Sequence, residues 1–181
     1  MASFFQGWDY RLSFNILIEI SGKYKTNTTA INALYYSVRN AIRAHDTERI
    51  IIFAPCKLSD PDYLQYLNFT EANDPYTMAE WHFYAAGPQT DPSNKKYWND
   101  GTTAEERNNI LGPLQTAYDW GQNNNVALWV GAWMAGNYNN EGGFDLVKQS
   151  AFGSFMARAL KNKNMPWSIN ADNKFYNYSN N

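Results

Sequence analysis

Two kinds of hydrophobic pattern alternate along the chain. The run RLSFNILIEI, Arg11 to Ile20, is nearly continuous in apolar and β-branched residues, the pattern of a strand covered on both faces. The segment TNTTAINALYYSVRNAIRAH then places Ile31, Leu34, Tyr35, Val38 and Ile42 at helical spacing behind Thr and Asn caps, which predicts a helix against the sheet. The alternation repeats. RIIIFAP predicts a second strand, DPDYLQYL a short helix and TMAEWHFYAA a third strand. After a long polar loop through PQTDPSNKKYWNDGT come a helix from about Thr103 to Asn123, the apolar run NVALWVGAWMAG as a fourth strand, a helix from about Phe144 to Asn162, and MPWSIN as a last strand.

Five strands joined by four crossovers predict an α/β fold with a parallel sheet. An open doubly wound sheet usually carries a glycine-rich phosphate loop after an early strand, and neither GxGxxG nor GxxxxGK(S/T) occurs. The balance therefore tips toward (β/α) barrel units. No linker, low-complexity block or short-period repeat interrupts the 181 residues, so residues 1–181 are expected to form one domain.

In a (β/α) barrel, reactive groups sit where strands end and βα loops begin. The strand ends here carry Glu19, Pro55, His82 with Tyr84, Ala132 with Trp133, and Trp167. Glu19 follows FNILI, an apolar setting that favours the protonated carboxyl a general acid needs, although it could equally cap the next helix or reach solvent. His82 and Tyr84 are two apart and point to one side of their strand, leaving Trp81 and Phe83 to face the helices. An imidazole and a phenol so placed can hold a carboxylate or a sugar hydroxyl, or can form a hydrogen-bonded pair filling a barrel interior. Trp167 could floor a sugar ring or plug the barrel end. Trp98, in the longest polar loop, is expected to contact ligand. The joint position of these residues at successive strand ends is what argues for a site.

Composition narrows the partners. Seven Trp, thirteen Tyr and ten Phe supply either an aromatic core or a surface that stacks flat rings, sugars in particular. Fifteen basic and seventeen acidic residues nearly cancel and form no basic block, which argues against nucleic acid. A single cysteine, Cys56, excludes an internal disulfide and a zinc cluster and points to a packing role. No metal or cofactor is expected. The start MASFFQGWDY lacks signal-peptide features, and no apolar run is long enough to span a bilayer, so a soluble chain with no membrane partner is expected.

LSFNILIEI resembles the fourth-strand motif of glycoside hydrolase family 5, cellulase-like (β/α)8 barrels in which a run such as Leu-x-Phe-Glu-x-x-Asn-Glu-Pro ends on the acid/base glutamate. Glu19 falls on that glutamate. In order, RNAIRAHDTERIIIFAP resembles the next helix and fifth strand, EWHFYAAGP the His-x-Tyr of the sixth, ALWVGAWMAG the Gly-Glu motif of the seventh, and PWSINADN the Trp-bearing eighth. The resemblance covers essentially the whole chain. It implies a partial (β/α)8 TIM barrel, about strands 4 to 8, and retaining hydrolysis of a β-linked polysaccharide by two carboxyl groups about 5 Å apart. In that scheme Glu19 is the acid/base, His82 and Tyr84 position the nucleophile and the sugar, and Trp167 stacks on the sugar. Trp98, Trp133 and Asn170 are further candidate substrate contacts.

Three departures change what the resemblance implies. Ile18 and Ile20 flank Glu19 where the motif has Asn and Pro, which removes a contact to the sugar 2-hydroxyl. The nucleophile position holds Ala132, whose methyl group can form no glycosyl ester, so the chain is expected to be inactive as written. The likeness begins just before strand four, so the two outer strands are expected to expose backbone edges that self-association into a homo-oligomer would cover. The alternative is a non-catalytic carbohydrate-binding protein or an engineered half-barrel scaffold.

Overall fold

A computed structural model describes residues 2–68, 74–135 and 144–170. Strands β1 (Phe14–Asn15), β2 (Ile51–Phe53), β3 (Thr77–Ala85) and β4 (Ala127–Ala135) are separated or followed by helices α1 (Thr28–Arg43), α2 (Ala104–Asn124) and α3 (Leu146–Asn162), with the short helix expected between β2 and β3 formed as a 3-10 helix over Pro61–Tyr66. The sheet order is β1-β2-β3-β4, all parallel, with Phe14 opposite Ile51 and Ile51 opposite Thr77. Sequential parallel strands with crossover helices are the topology of part of a (β/α)8 barrel, as the sequence pattern predicts.

Two expected strands differ from the pattern. The first run forms only a two-residue strand, although its ladder continues to the bond from the Ile16 N–H to the Ile52 carbonyl. Leu17 and Ile18 then leave the sheet exposed, because Glu19 adopts a φ of +49° that turns the chain away from an extended path. MPWSIN makes a parallel bridge between Trp167 and Val130 rather than a named strand among the described residues. Its backbone nevertheless alternates in strand fashion: Val130 N–H donates to the Pro166 carbonyl, and Ser168 N–H to that of Val130.

The chain forms two compact units, Met1–Trp81 with Thr116–Trp129, and His82–Gln115 with Val130–Asn181. In the first, α1 begins because the Asn27 side chain accepts from the Ala30 N–H. Its stripe of Ile31, Tyr35 and Ile42 is buried with Ile20, Ile51, Phe53 and Cys56, whereas Leu34 falls outside the stripe and is exposed. Tyr35 donates its hydroxyl to the Ala54 carbonyl at 2.8 Å, so the buried phenol is satisfied. Arg49, only 3 % exposed, gathers the N-terminal segment by donating to the carbonyls of Phe5, Trp8, Asp9 and Leu12.

In the second unit the loop 97–103 folds over the Trp98 indole. Glu106 Oε2 accepts the Gly101 N–H at 2.6 Å, Arg107 donates to the Gly101 and Thr102 carbonyls, and Asn109 donates to the Tyr97 carbonyl. With its backbone satisfied by α2 side chains, this polar segment can cover an apolar ring. Gly101 completes the fit. Its φ is +76°, and a Cβ there would lie 2.3 Å from the Trp98 ring. Gly101→Ala is therefore expected to cost about 2–4 kcal/mol, combining the left-handed penalty with overpacking. Urea unfolding checks this, and a loss under about 0.5 kcal/mol would show that the loop yields freely.

Candidate functional site

Glu19 belongs to the first unit and is half-buried at the end of the first apolar run. Its position is set by a second loop. After β2 the chain makes a tight turn at Cys56–Ser59 in which Lys57, Leu58 and Ser59 have φ of 59°, 63° and 59°. Each such residue costs about 1–2 kcal/mol relative to ordinary backbone, so the turn persists only because its surroundings hold it. Three bonds do so: Lys57 N–H to the Lys25 carbonyl, Leu58 N–H to the Ile20 carbonyl, and Glu19 N–H to Ser59 Oγ at 3.0 Å. Cys56 packs in the core beneath, where burial pushes its thiol pKa up and leaves it a packing residue.

Sequence reasoning missed a polar pair in the same unit. Asn15 on β1 donates its amide to the buried Glu80 carboxylate on β3. The signal was present, since Glu80, His82 and Tyr84 alternate along one strand and so share a face.

The second unit contains most of the other candidates. His82 is buried and Tyr84 half-buried, with ring centroids 6.5 Å apart in an edge arrangement. Asn170 joins them: its Nδ2 donates to the Tyr84 hydroxyl at 3.1 Å, while its backbone N–H donates to the Trp133 carbonyl at 3.1 Å. Ser168 Oγ donates to the Gly131 carbonyl. Residues 166–170 are thus zipped along β4 past Ala132, which stays partly accessible. Trp167 is 37 % exposed, enough to offer part of a ring face.

Two tryptophans lie elsewhere than expected. Trp98 is 1 % exposed, its ring 5.4 Å from Phe152 and 5.3 Å from Phe155, so no face remains for a ligand. A polar loop suggested exposure, but α2 side chains satisfy that loop and let it act as a lid on the core. Trp133 is 2 % exposed and packs 6.0 Å from Phe152, because strand alternation turns it to the side opposite Ala132. Both rings are core residues. Among the described residues no three His, Cys, Asp or Glu side chains gather as a metal site, and no helix is long and apolar enough to cross a membrane.

A model of the cellulase family, glycosyl hydrolase family 5, matches residues 1–175. Among curated proteins none matches significantly. Solved structures are similar in fold. The clostridial cellulose synthase subunit Z from Clostridioides difficile superposes with a TM-score of 0.76 at 20 % identity, over 93 % of this chain and 56 % of that one. Thermotoga maritima Cel5A in complex with cellobiose gives 0.75 at 18 % identity, over 93 % and 54 %. A mutant glycoside hydrolase 5 lichenase from Caldicellulosiruptor sp. F32 with cellotetraose gives 0.76 at 16 % identity, over 97 % and 52 %. The chain thus spans little more than half the length of these neighbours. The α/β topology, the His-x-Tyr strand and the match over residues 1–175 agree: the chain belongs to the cellulase family, glycosyl hydrolase family 5.

Proposed function

We propose that the chain is a cellulase-like glycoside hydrolase directed at β-linked glucans, which binds oligosaccharide but forms no glycosyl-enzyme because position 132 is alanine. The observation that carries this reading is the double role of Asn170, tied to the Tyr84 hydroxyl and to the backbone beside Ala132. That arrangement supports a sugar-orienting group where β3, β4 and the Trp167 segment meet. Cellobiose and cellotetraose in the solved relatives support β-glucan as the substrate class.

In this reading Glu19 holds the acid/base position: with a carboxylate at 132 attacking the anomeric carbon, Glu19 would protonate the departing glycosidic oxygen and then take the proton of the water that cleaves the glycosyl ester. His82, Tyr84 and Asn170 orient the sugar and the group at position 132. Trp167 stacks on the sugar face. With alanine at 132 the second carboxylate of a retaining pair is absent and no covalent intermediate can form.

Titration of Trp fluorescence with cello-oligosaccharides tests binding. Quenching is expected without product release, and Trp167→Ala is expected to weaken binding roughly tenfold. No response to cello-, manno- or xylo-oligosaccharides would sink the sugar-binding reading. The second reading, a carbohydrate-binding protein with no catalytic ancestry in use, is favoured by Ile18, Ile20 and Ala132 together, and substituting position 132 separates the two.

Self-association belongs to the same proposal. β1 ends the sheet order among the described residues, and Ile18 beside it is 55 % exposed. An edge strand with apolar neighbours is stabilised when another copy covers it. Sedimentation at micromolar concentration is expected to show a dimer or larger species; a compact monomer that unfolds cooperatively would refute it.

A further inference from the structure

Glu19 and Ser59 are two non-glycine residues in the left-handed region, 40 positions apart in sequence, joined by one hydrogen bond from the Glu19 N–H to Ser59 Oγ. Ser59 is fully buried, so no water competes for its hydroxyl. A position with φ of +59° favours glycine, which would relieve the backbone but offer no acceptor. Serine in that place has a physical reason if the hydroxyl is used, and the bond it accepts comes from the one carboxylate-bearing residue of the facing loop. The chain on either side of Glu19 is held differently: Ile20 is anchored in the core while Ile18 is exposed. Its φ therefore decides in which direction the carboxylate leaves the backbone.

We propose that Ser59 is a positioning residue for Glu19, its hydroxyl locking the Glu19 backbone in the left-handed conformation and so aiming the carboxylate. The functional meaning rests on the reading of Glu19 as the acid/base, whereas the lock itself is independent of any activity. The neighbouring bonds, from Leu58 N–H to the Ile20 carbonyl and from Lys57 N–H to the Lys25 carbonyl, bring the two loops together. The Ser59 hydroxyl accepts from the Glu19 amide itself and so opposes rotation of Glu19 to an extended conformation through that amide.

Nuclear magnetic resonance of the isotopically labelled full chain tests this with two variants. Ser59→Ala removes the acceptor and keeps the strained backbone, whereas Ser59→Gly removes the acceptor and relieves the strain. In both, exchange of the Glu19 amide is expected to accelerate roughly tenfold, and the amide-to-Hα coupling of Glu19 to leave its left-handed value. The thermal midpoints of the two variants should diverge, since glycine removes the left-handed cost. A purely structural role for Ser59 would move the midpoints and leave the Glu19 coupling unchanged. Retention of the left-handed coupling in either variant overturns the proposal. Failure of the hydrolytic reading would leave this coupling untouched, and loss of the lock would leave sugar binding to Trp167 untouched, so the two fail separately.

Discussion

On the proposed reading, Ala132→Glu is expected to give the chain hydrolytic turnover of β-glucan, raised by on the order of 10⁴ to 10⁶, the scale lost when a covalent nucleophile is deleted. The reasoning starts from chemistry. A retaining mechanism needs two carboxyl groups, and only a carboxylate at position 132 can form the glycosyl ester. The substitution is sterically mild, because Ala132, within β4, is partly accessible. Activity should appear in Ala132→Glu and vanish in the double variant with Glu19→Gln. Because the chain covers only 52–56 % of its structural neighbours, the assay is run with the chain alone and with strands one to three of a family barrel supplied in trans. A protein inert toward cellulose, mannan, xylan and agar-type substrates in both formats would refute the hydrolase reading.

Arg49→Ala is the second large effect, and it acts on stability. The guanidinium is buried, pairs with Asp46 at 2.8 Å and donates to the carbonyls of Phe5, Trp8, Asp9 and Leu12. Its removal strands those acceptors and a carboxylate, a loss of about 3–5 kcal/mol. Arg49→Lys should recover little, since one ammonium cannot span the donors of a planar fork. A drop below about 1 kcal/mol in urea unfolding would show that water replaces the side chain.

The Arg49 effect should also depend on pH. Partial burial raises the pKa of Asp46, but hydrogen bonds from Arg49 and the Glu48 amide outweigh it and hold the carboxyl below its ordinary value. A lowered folded-state pKa stabilises the fold above the unfolded value, and the benefit disappears as pH falls through the folded value. The difference between the parent chain and Arg49→Ala is thus expected in full near pH 6 and to shrink below about pH 4.

Local pattern revealed much of the molecule. The stripe of Ile31, Tyr35 and Ile42 was readable because a helix repeats every 3.6 residues whatever it packs against. The alternation of Trp81, His82, Phe83 and Tyr84 was readable because strand side chains alternate with period two. Ala132 stood out because a short strand motif lacked its carboxylate. Trp98 was misjudged because composition says where a loop prefers to lie, while Glu106 and Arg107 decide whether it can lie elsewhere. The length of β1 was overestimated for a related reason. An apolar run reports what could be buried, and the turn at Glu19 determines where burial stops.

By itself the amino-acid sequence determined the α/β order, the parallel strands, the family and the residue types at each strand end. These follow from periodicity and short motifs, which need only a few consecutive residues. Tertiary structure alone decided which aromatic rings are core and which are partly open, that Asn170 meets Tyr84, that Asn15 meets Glu80, and that the Glu19 amide meets the Ser59 hydroxyl. Those pairings join residues 40, 65 or 86 positions apart. No local propensity encodes such a contact, because its energy exists only after the intervening chain has folded and the loop-closure entropy has been offset by packing elsewhere.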